Sequence, residues 1–315
     1  MISIVVPVYN EEESLLAFYK ELNDQLVKLH EKYEVIFVDD GSNDSSLDLL
    51  KNLEQKDNNV KVFSFRKNQG KAEALTMGFQ KATGDYVVTL DADLQDKPSE
   101  IHKLLDKTKE NWEVICGWRK DRKDSIHKRI SSKLFNSLTS TFWGLELHDY
   151  NCGLKVYTKE AAKSLRLYGG LHRFIPLLVY QEGFSVTELP VVHQQRKFGE
   201  SKYGFSKIWK DLPDIFTMLF LAKYSKRPLH FFGTVGSLVI FAGLGILVYL
   251  TILHFQGEAI GRRPLLIFGV LFVVAGFQIF FTGFLAELIL SIHQKSELHF
   301  PLKYSSEEES KYTTT

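Results

Sequence analysis

The sequence predicts an α/β protein, a mainly parallel sheet covered on both faces by helices, followed by a pair of membrane-crossing helices. Three observations carry this expectation. Short apolar runs alternate with segments of helical spacing over roughly the first 205 of the 315 residues. Polar clusters follow those apolar runs, at the edge where such a sheet binds ligands. Residues 229–253 and 264–290 are two apolar runs, each long enough to cross ~30 Å of hydrocarbon.

Taken in order, residues 2–7 are apolar and short, a first strand. Residues 11–30 place Leu15, Leu16, Tyr19, Leu22, Leu26 and Leu29 on one helical face. Residues 34–38 form a second strand, and Asn43 or Asp44 caps a helix reaching about Gln55. Residues 60–65 form a third strand and 70–81 a helix that stops before Gly84. Residues 86–90 form a fourth strand, Pro98 opens the next helix, and 112–117 form a fifth strand. Residues 185–192 are also strand-like. Such β-α alternation gives parallel strands.

Composition narrows the function. Lys and Arg number 39 against 38 Asp and Glu, so bulk charge gives no case for nucleic acid. Cys116 and Cys152 are too few for a disulfide framework or a thiolate zinc site, and read as reduced thiols in a cytosolic setting. The N-terminus enters a strand pattern directly, so no cleaved leader is expected.

The polar clusters fall at the ends of the five expected strands: Pro7 to Glu12, Asp39 to Ser42, Arg66 to Lys71, Asp91 to Asp93, and Gly117 to Arg119. At the fourth, Asp91 and Asp93 flank Ala92 where the strand gives way to a turn, so both carboxylates can converge on one point. Hard oxygens there suit Mg²⁺ or Mn²⁺; a turn with two solvated acids is the plainer alternative. Gln95 can add a neutral oxygen. Asp39 and Asp40 can accept from a nucleobase N–H or a ribose hydroxyl, or simply form an Asp-Gly turn. Lys71, at a helix start, faces either a phosphate or water. Neither a dinucleotide-binding glycine pattern nor a phosphate-binding P-loop occurs.

Together with Asp149 to Lys155 and Arg196 to Tyr203, these clusters resemble the inverting GT-A glycosyltransferases of family 2. Within them they resemble the polyprenyl-phosphate glycosyltransferases, the group of dolichyl-phosphate mannose synthase and the bacterial undecaprenyl-phosphate glucosyltransferases. The resemblance implies that Pro7, Tyr9, Glu11, Asp39, Asp40, Lys71 and Ala92 bind the nucleotide sugar. Asp91, Asp93 and Gln95 would hold the cation that bridges its diphosphate. The loop with Arg196, Ser201 and Lys202 would close over that diphosphate; a basic loop on lipid headgroups is the alternative. The basic run after the fifth strand would hold the acceptor phosphate, with Arg119, Arg129 and Lys133 as candidates. Asp149 would orient the acceptor, because a phosphate monoester, with a second pKa of ~6, needs little general-base help.

The implied architecture is a cytoplasmic GT-A catalytic domain over residues 1–204, juxtamembrane amphipathic helices over 205–228, two transmembrane helices over 229–290 and a cytoplasmic tail over 291–315. In residues 205–222, Phe205, Ile208, Trp209, Leu212, Ile215, Phe216, Leu219 and Phe220 share a face suited to the membrane interface. Only residues 254–264 separate the two spans, so they form a hairpin whose flanking Lys and Arg lean cytoplasmic. Glu287 should face protein, the interface or a neighbouring subunit, and Gly236, Gly243 and Gly245 offer small-residue contacts for a homo-oligomer. The expected activity is metal-dependent transfer of a sugar, UDP-glucose being the preferred donor, to a polyprenyl phosphate at the inner membrane. A GDP-mannose donor is the alternative within that activity, and a non-catalytic membrane scaffold the alternative outside it.

Overall fold

The computed structural model describes residues 1–120, 144–194, 227–261 and 263–294. They fall into two compact units, one within residues 1–214 and the other within 215–315.

The first unit is built on a seven-stranded sheet of β1 (Ile2–Val8), β2 (Tyr33–Asp39), β3 (Val60–Ser64), β4 (Tyr86–Thr89), β5 (Val114–Trp118), β6 (Lys155–Thr158) and β7 (Val186–Pro190), in the order β3-β2-β1-β4-β6-β5-β7. Strands β1 to β4 pair in parallel, as do β5 and β7. The sheet is mixed, because β6 runs antiparallel between β4 and β5. β6 has four residues and begins with a charged side chain, so no apolar run announces it. Its reversal matters for the site: the chain enters β6 from the carboxyl edge of the parallel strands, delivering Asp149 to Gly153 there.

Helices α1 (Leu15–Lys28), α2 (Ser46–Lys56) and α4 (Ile101–Thr108) cover one face of the sheet, while α3 (Lys71–Lys81) covers the other. Alternation along β1 decides which side chain meets which helix. Ile2, Ile4, Val6 and Val8 join the core containing Leu15, Phe18, Leu22, Leu26, Leu50, Ile101 and Leu104. Val5 points the other way, and a Cβ on Gly78 of α3 would lie 2.2 Å from its Cγ1. α1 starts four residues later than its periodicity predicts, because Glu11 to Ser14 form a turn on the Glu11 carbonyl. Leu16, one residue and about 100° round the helix from the buried Leu15, lies off the buried face, 52% exposed. The N-cap of α2 is Ser45 rather than Asn43 or Asp44, and Asp44, one residue before it, accepts from the Ser46 N–H at 3.0 Å. Among the described residues, α5 (Lys159–Ser164) and α6 (Ile175–Gln181) follow β6.

The second unit is a hairpin of α7 (Pro228–Phe255) and α8 (Pro264–Gln294), both long and apolar enough to cross a membrane. Glycines set their approach. A Cβ on Gly236 would lie 2.8 Å from the Gly276 carbonyl, and one on Gly243 would lie 2.9 Å from the Gly269 carbonyl. These two glycines therefore serve the hairpin, correcting the expectation that they form subunit contacts; Gly245 has open space around it. Glu287 accepts from the Leu229 N–H at 3.3 Å, satisfying one of the orphan donors at the start of α7. The amphipathic segment 205–226 lies outside the described residues.

One buried charge ties the sheet together. Glu34 is 2% exposed and accepts from the Ser3 hydroxyl, the Thr83 N–H and hydroxyl, and Lys61 Nζ at 2.5–2.8 Å. Burial alone would raise its pKa, but these donors outweigh it and bring the carboxyl down to about 2. The ionised form is thus favoured by folding, and its stabilisation is lost as pH falls from about 4.5 towards 2. Glu34→Gln should cost about 2–3 kcal/mol at neutral pH and flatten that acid dependence, both read from urea unfolding in detergent. In the hairpin, Gly276→Leu should destabilise by about 1–3 kcal/mol, measured as a lowered Tm, whereas Gly245→Leu should leave Tm nearly unchanged.

Candidate active site

The carboxyl edge of the parallel strands gathers most of the residues singled out in the sequence. Asp39 ends β2 fully buried, accepting from the Ser42 N–H at 3.2 Å and the Ser64 hydroxyl at 2.6 Å. It lines an open groove of about 370 Å³ together with Ser42, Asn43, Leu47, Phe65 and Arg66. Gly41 makes that groove possible: its φ is +67°, and a Cβ there would lie 2.5 Å from the Lys67 backbone. Asp40 is turned to another task. Its carboxylate accepts from the Gln69 and Gly70 N–H groups at 2.7–3.1 Å and from Asn68 Nδ2 at 3.0 Å, so it fixes the loop entering α3. Burial, with Glu73 and Asp39 nearby, raises its pKa against those donors.

At the end of β1, Pro7 is half-buried and Asn10 adopts a left-handed φ of 52°. The loop of Tyr9 and Glu11 is clamped to the β2–α2 turn. Asn10 N–H donates to Ser42 Oγ, Asn43 N–H donates to Asn10 Oδ1, and Glu11 N–H donates to Ser46 Oγ, each at 2.9 Å.

Asp91 forms the centre of the edge. Lys71 Nζ lies 2.6 and 2.7 Å from its two oxygens. Burial opposes ionisation of Asp91, but Lys71, with Lys155 and Arg119 farther off, overrides it and holds the carboxyl below the usual range. The following turn is tight: Gln95 N–H donates to Asp93 Oδ1 at 3.1 Å, and Leu94 sits at φ 59°, a conformation that costs a leucine of order 1 kcal/mol or more. Ala92 is buried beneath it.

Asp91, Asp93 and Gln95 thus share one turn of oxygen donors. Among the described residues no three His, Cys, Asp or Glu side chains cluster as a metal site. A hard divalent cation that takes two carboxylates and completes its shell with water and phosphate fits this donor set. The Lys71 ammonium already places a positive charge on both Asp91 oxygens.

The reversed strand β6 supplies the opposite wall. Thr89 donates to the Gly153 carbonyl at 2.8 Å, and a Cβ on Gly153 would lie 2.7 Å from Asp91 Oδ2 and 3.0 Å from Asp96 Oδ2. Lys155 is buried, with Nζ on the Cys152 carbonyl. Arg119 meets Asp149 through two hydrogen bonds, Nε to Oδ2 at 2.6 Å and Nη2 to Oδ1 at 3.0 Å. Burial works against the guanidinium charge, yet Asp149 raises its pKa well above the usual value. A buried bidentate pair of this kind fixes both side chains; Arg119 presents a held guanidinium, and Asp149 is committed to it.

Three residues of the site escaped the sequence reading. Asp96 is 3% exposed and accepts from Leu154 N–H at 3.2 Å, with its other oxygen lacking a hydrogen-bond partner among the described residues. His148 stacks on Trp118 at 4.1 Å and binds Glu188 through its ring and its N–H. The first belongs to the acidic motif itself; the other two are joined across 40 residues, with no local signal. Arg129, Lys133, Arg196, Ser201 and Lys202 lie outside the described residues. Gly153→Ala should push Asp91 aside and destabilise by about 1–3 kcal/mol, read as a fall in Tm; an unchanged Tm would mean that the two carboxylates yield freely.

Comparison with known proteins agrees with this geometry. Residues 3–166 match the model of glycosyl transferase family 2. The dodecaprenyl-phosphate galacturonate synthase of Rhizobium johnstonii is 33% identical over 307 residues, covering 94% of this chain and 89% of that protein. Among solved structures, glucosyl-3-phosphoglycerate synthase from Mycobacterium tuberculosis, in complex with Mn²⁺, uridine diphosphate and phosphoglyceric acid, superposes with a TM-score of 0.56. It is 16% identical and covers 70% of this chain and 78% of that one. A second structure of the same enzyme gives a TM-score of 0.53, with 19% identity over 70% and 80% of the two chains. These structures share the fold, and the family match together with the near full-length relative establishes that the chain belongs to glycosyl transferase family 2.

Proposed function

We propose that this glycosyltransferase moves a sugar, with inversion, from a nucleotide sugar to a polyprenyl phosphate at a membrane surface. The observation that carries the reading is the acidic turn from Asp91 to Gln95, open at the carboxyl edge of the sheet, in a chain that also has two helices fit to cross a membrane. The relative named for transfer to dodecaprenyl phosphate supports the acceptor, since its likeness spans 94% of this chain. UDP-glucose remains the first donor to test, and the galacturonate in that relative's name puts a UDP-hexuronate beside it.

In this reading a lipid phosphate oxygen attacks the anomeric carbon as the bond to the leaving diphosphate breaks, and a single displacement inverts that carbon. The acceptor is largely dianionic at neutral pH, so no side chain has to remove a proton. The pairing of Asp149 with Arg119 supports an orienting part for both. Asp39 and the groove beside it would receive the nucleoside. Asp91, Asp93 and Gln95 would hold Mg²⁺ or Mn²⁺, which when bound offsets charge growing on the diphosphate. Arg129 and Lys133 are proposed for the acceptor phosphate, and Arg196, Ser201 and Lys202 for the donor diphosphate, on sequence grounds. The apolar hairpin would keep the domain in the plane of its lipid substrate, with the domain on the cytoplasmic side.

The test is transfer from a panel of radiolabelled UDP- and GDP-sugars to undecaprenyl phosphate in liposomes. Transfer should vanish in excess EDTA, and Asp93→Asn should lower turnover roughly 10³-fold while Tm stays near that of the wild type. Full activity in EDTA would refute the metal, and transfer without any lipid phosphate would refute the acceptor.

A further inference from the structure

Lys71 occupies both oxygens of Asp91, at 2.6 and 2.7 Å. A cation coordinated by Asp91 and the ammonium of Lys71 therefore compete for the same two atoms. From this juxtaposition we propose that Lys71 is a displaceable counterion that holds the metal site closed until the donor arrives, making metal and nucleotide bind cooperatively.

The surroundings dictate how the exchange runs. Asp91 already feels Lys155 and Arg119 behind it, and the small cavity on that side is lined by Lys71, Asn151, Lys155 and His172, with room for about one water, near 10 Å³. Burial, with Lys71 and Arg173 close by, pushes the His172 imidazole down to about 3, so it stays neutral beside the ammonium. Lys155 and Arg119 on that side oppose retreat of Lys71 inward. Its own side chain is 37% exposed and that of Asp91 is 32% exposed, so the ammonium leaves outward, to where the donor's diphosphate would lie. A metal arriving alone has to break the Lys71–Asp91 ion pair and brings no anion in exchange. A metal arriving with a diphosphate gives Lys71 a new partner as it takes the old one. Each ligand then favours the other by the same factor, as linkage requires.

This inference rests on the proposed metal site at Asp91 and Asp93, and the experiment separates the two. Mn²⁺ binding to the full-length protein in detergent is measured by titration calorimetry and by the EPR signal of free Mn²⁺, with and without UDP, for wild type, Lys71→Met and Asp93→Asn. In wild type, UDP should tighten Mn²⁺ binding at least tenfold. In Lys71→Met, Mn²⁺ alone should bind about tenfold tighter than in wild type, the scale of removing one partly exposed opposing charge, and UDP should add little. Equal Mn²⁺ affinity in wild type and Lys71→Met, lost in both when Asp93→Asn is introduced, would overturn the counterion role and leave the metal site standing. Mn²⁺ binding unaffected by Asp93→Asn would overturn the metal site and the inference with it. A Lys71→Arg protein should keep the wild-type cooperativity; its loss there would show that the charge alone is not what closes the site.

Discussion

The constraint on which the site depends is the crowding of charge around Asp91. A carboxylate at a strand end is ordinary; one that meets Lys71 from the α3 side, Gly153 from the reversed strand and the Asp96 carboxylate behind it is not. Each neighbour needs a separate feature of the fold. Lys71 reaches Asp91 because α3 starts at the same edge where β4 stops, and that start is held by Asp40 through the Gln69 and Gly70 amides. Gly153 reaches it because β6 runs against its neighbours. Removing the antiparallel strand would take the loop carrying Asp149 to Gly153 away from the edge altogether.

The same edge separates two kinds of polar group. Asp39 and the groove beside it are built from the β2 and β3 exits, on one side of Asp91. The Arg119–Asp149 pair and the Trp118–His148 stack are built from β5 and the loop before β6, on the other. A two-substrate reaction needs such a division, with the shared acidic turn between. The hairpin is organised by different physics. Its helices approach through glycines at Gly236, Gly243, Gly269 and Gly276, which let the two backbones come into close contact.

Much of this was legible in the sequence because apolar runs punctuated by Asp-Asp-Gly or Asp-x-Asp carry both the strand and its functional end. The parallel strands, the helices between them and the two long apolar helices all followed from periodicity. β6 was hidden by its length and by Lys155. Leu16 is expected on the apolar face and is exposed, because one residue beyond the buried Leu15 turns it about 100° away from that face. The partners of charged residues were the least legible. Lys71 finds Asp91 across 20 residues, Arg119 finds Asp149 across 30, and Asp40 finds the Gln69 and Gly70 amides across 29 and 30. Only the folded sheet sets such pairs, so a reading of either segment alone leaves both a ligand and a solvated charge open.

The central claim is that this edge joins an anomeric carbon to a lipid phosphate by one displacement. Its most direct measurement is the NMR spectrum of the lipid product formed from an α-linked nucleotide sugar and undecaprenyl phosphate. The account predicts a single phosphodiester signal in ³¹P and a β anomeric configuration in the ¹H and ¹³C couplings. An α-linked product, or release of free sugar with the lipid phosphate monoester unchanged, would contradict it.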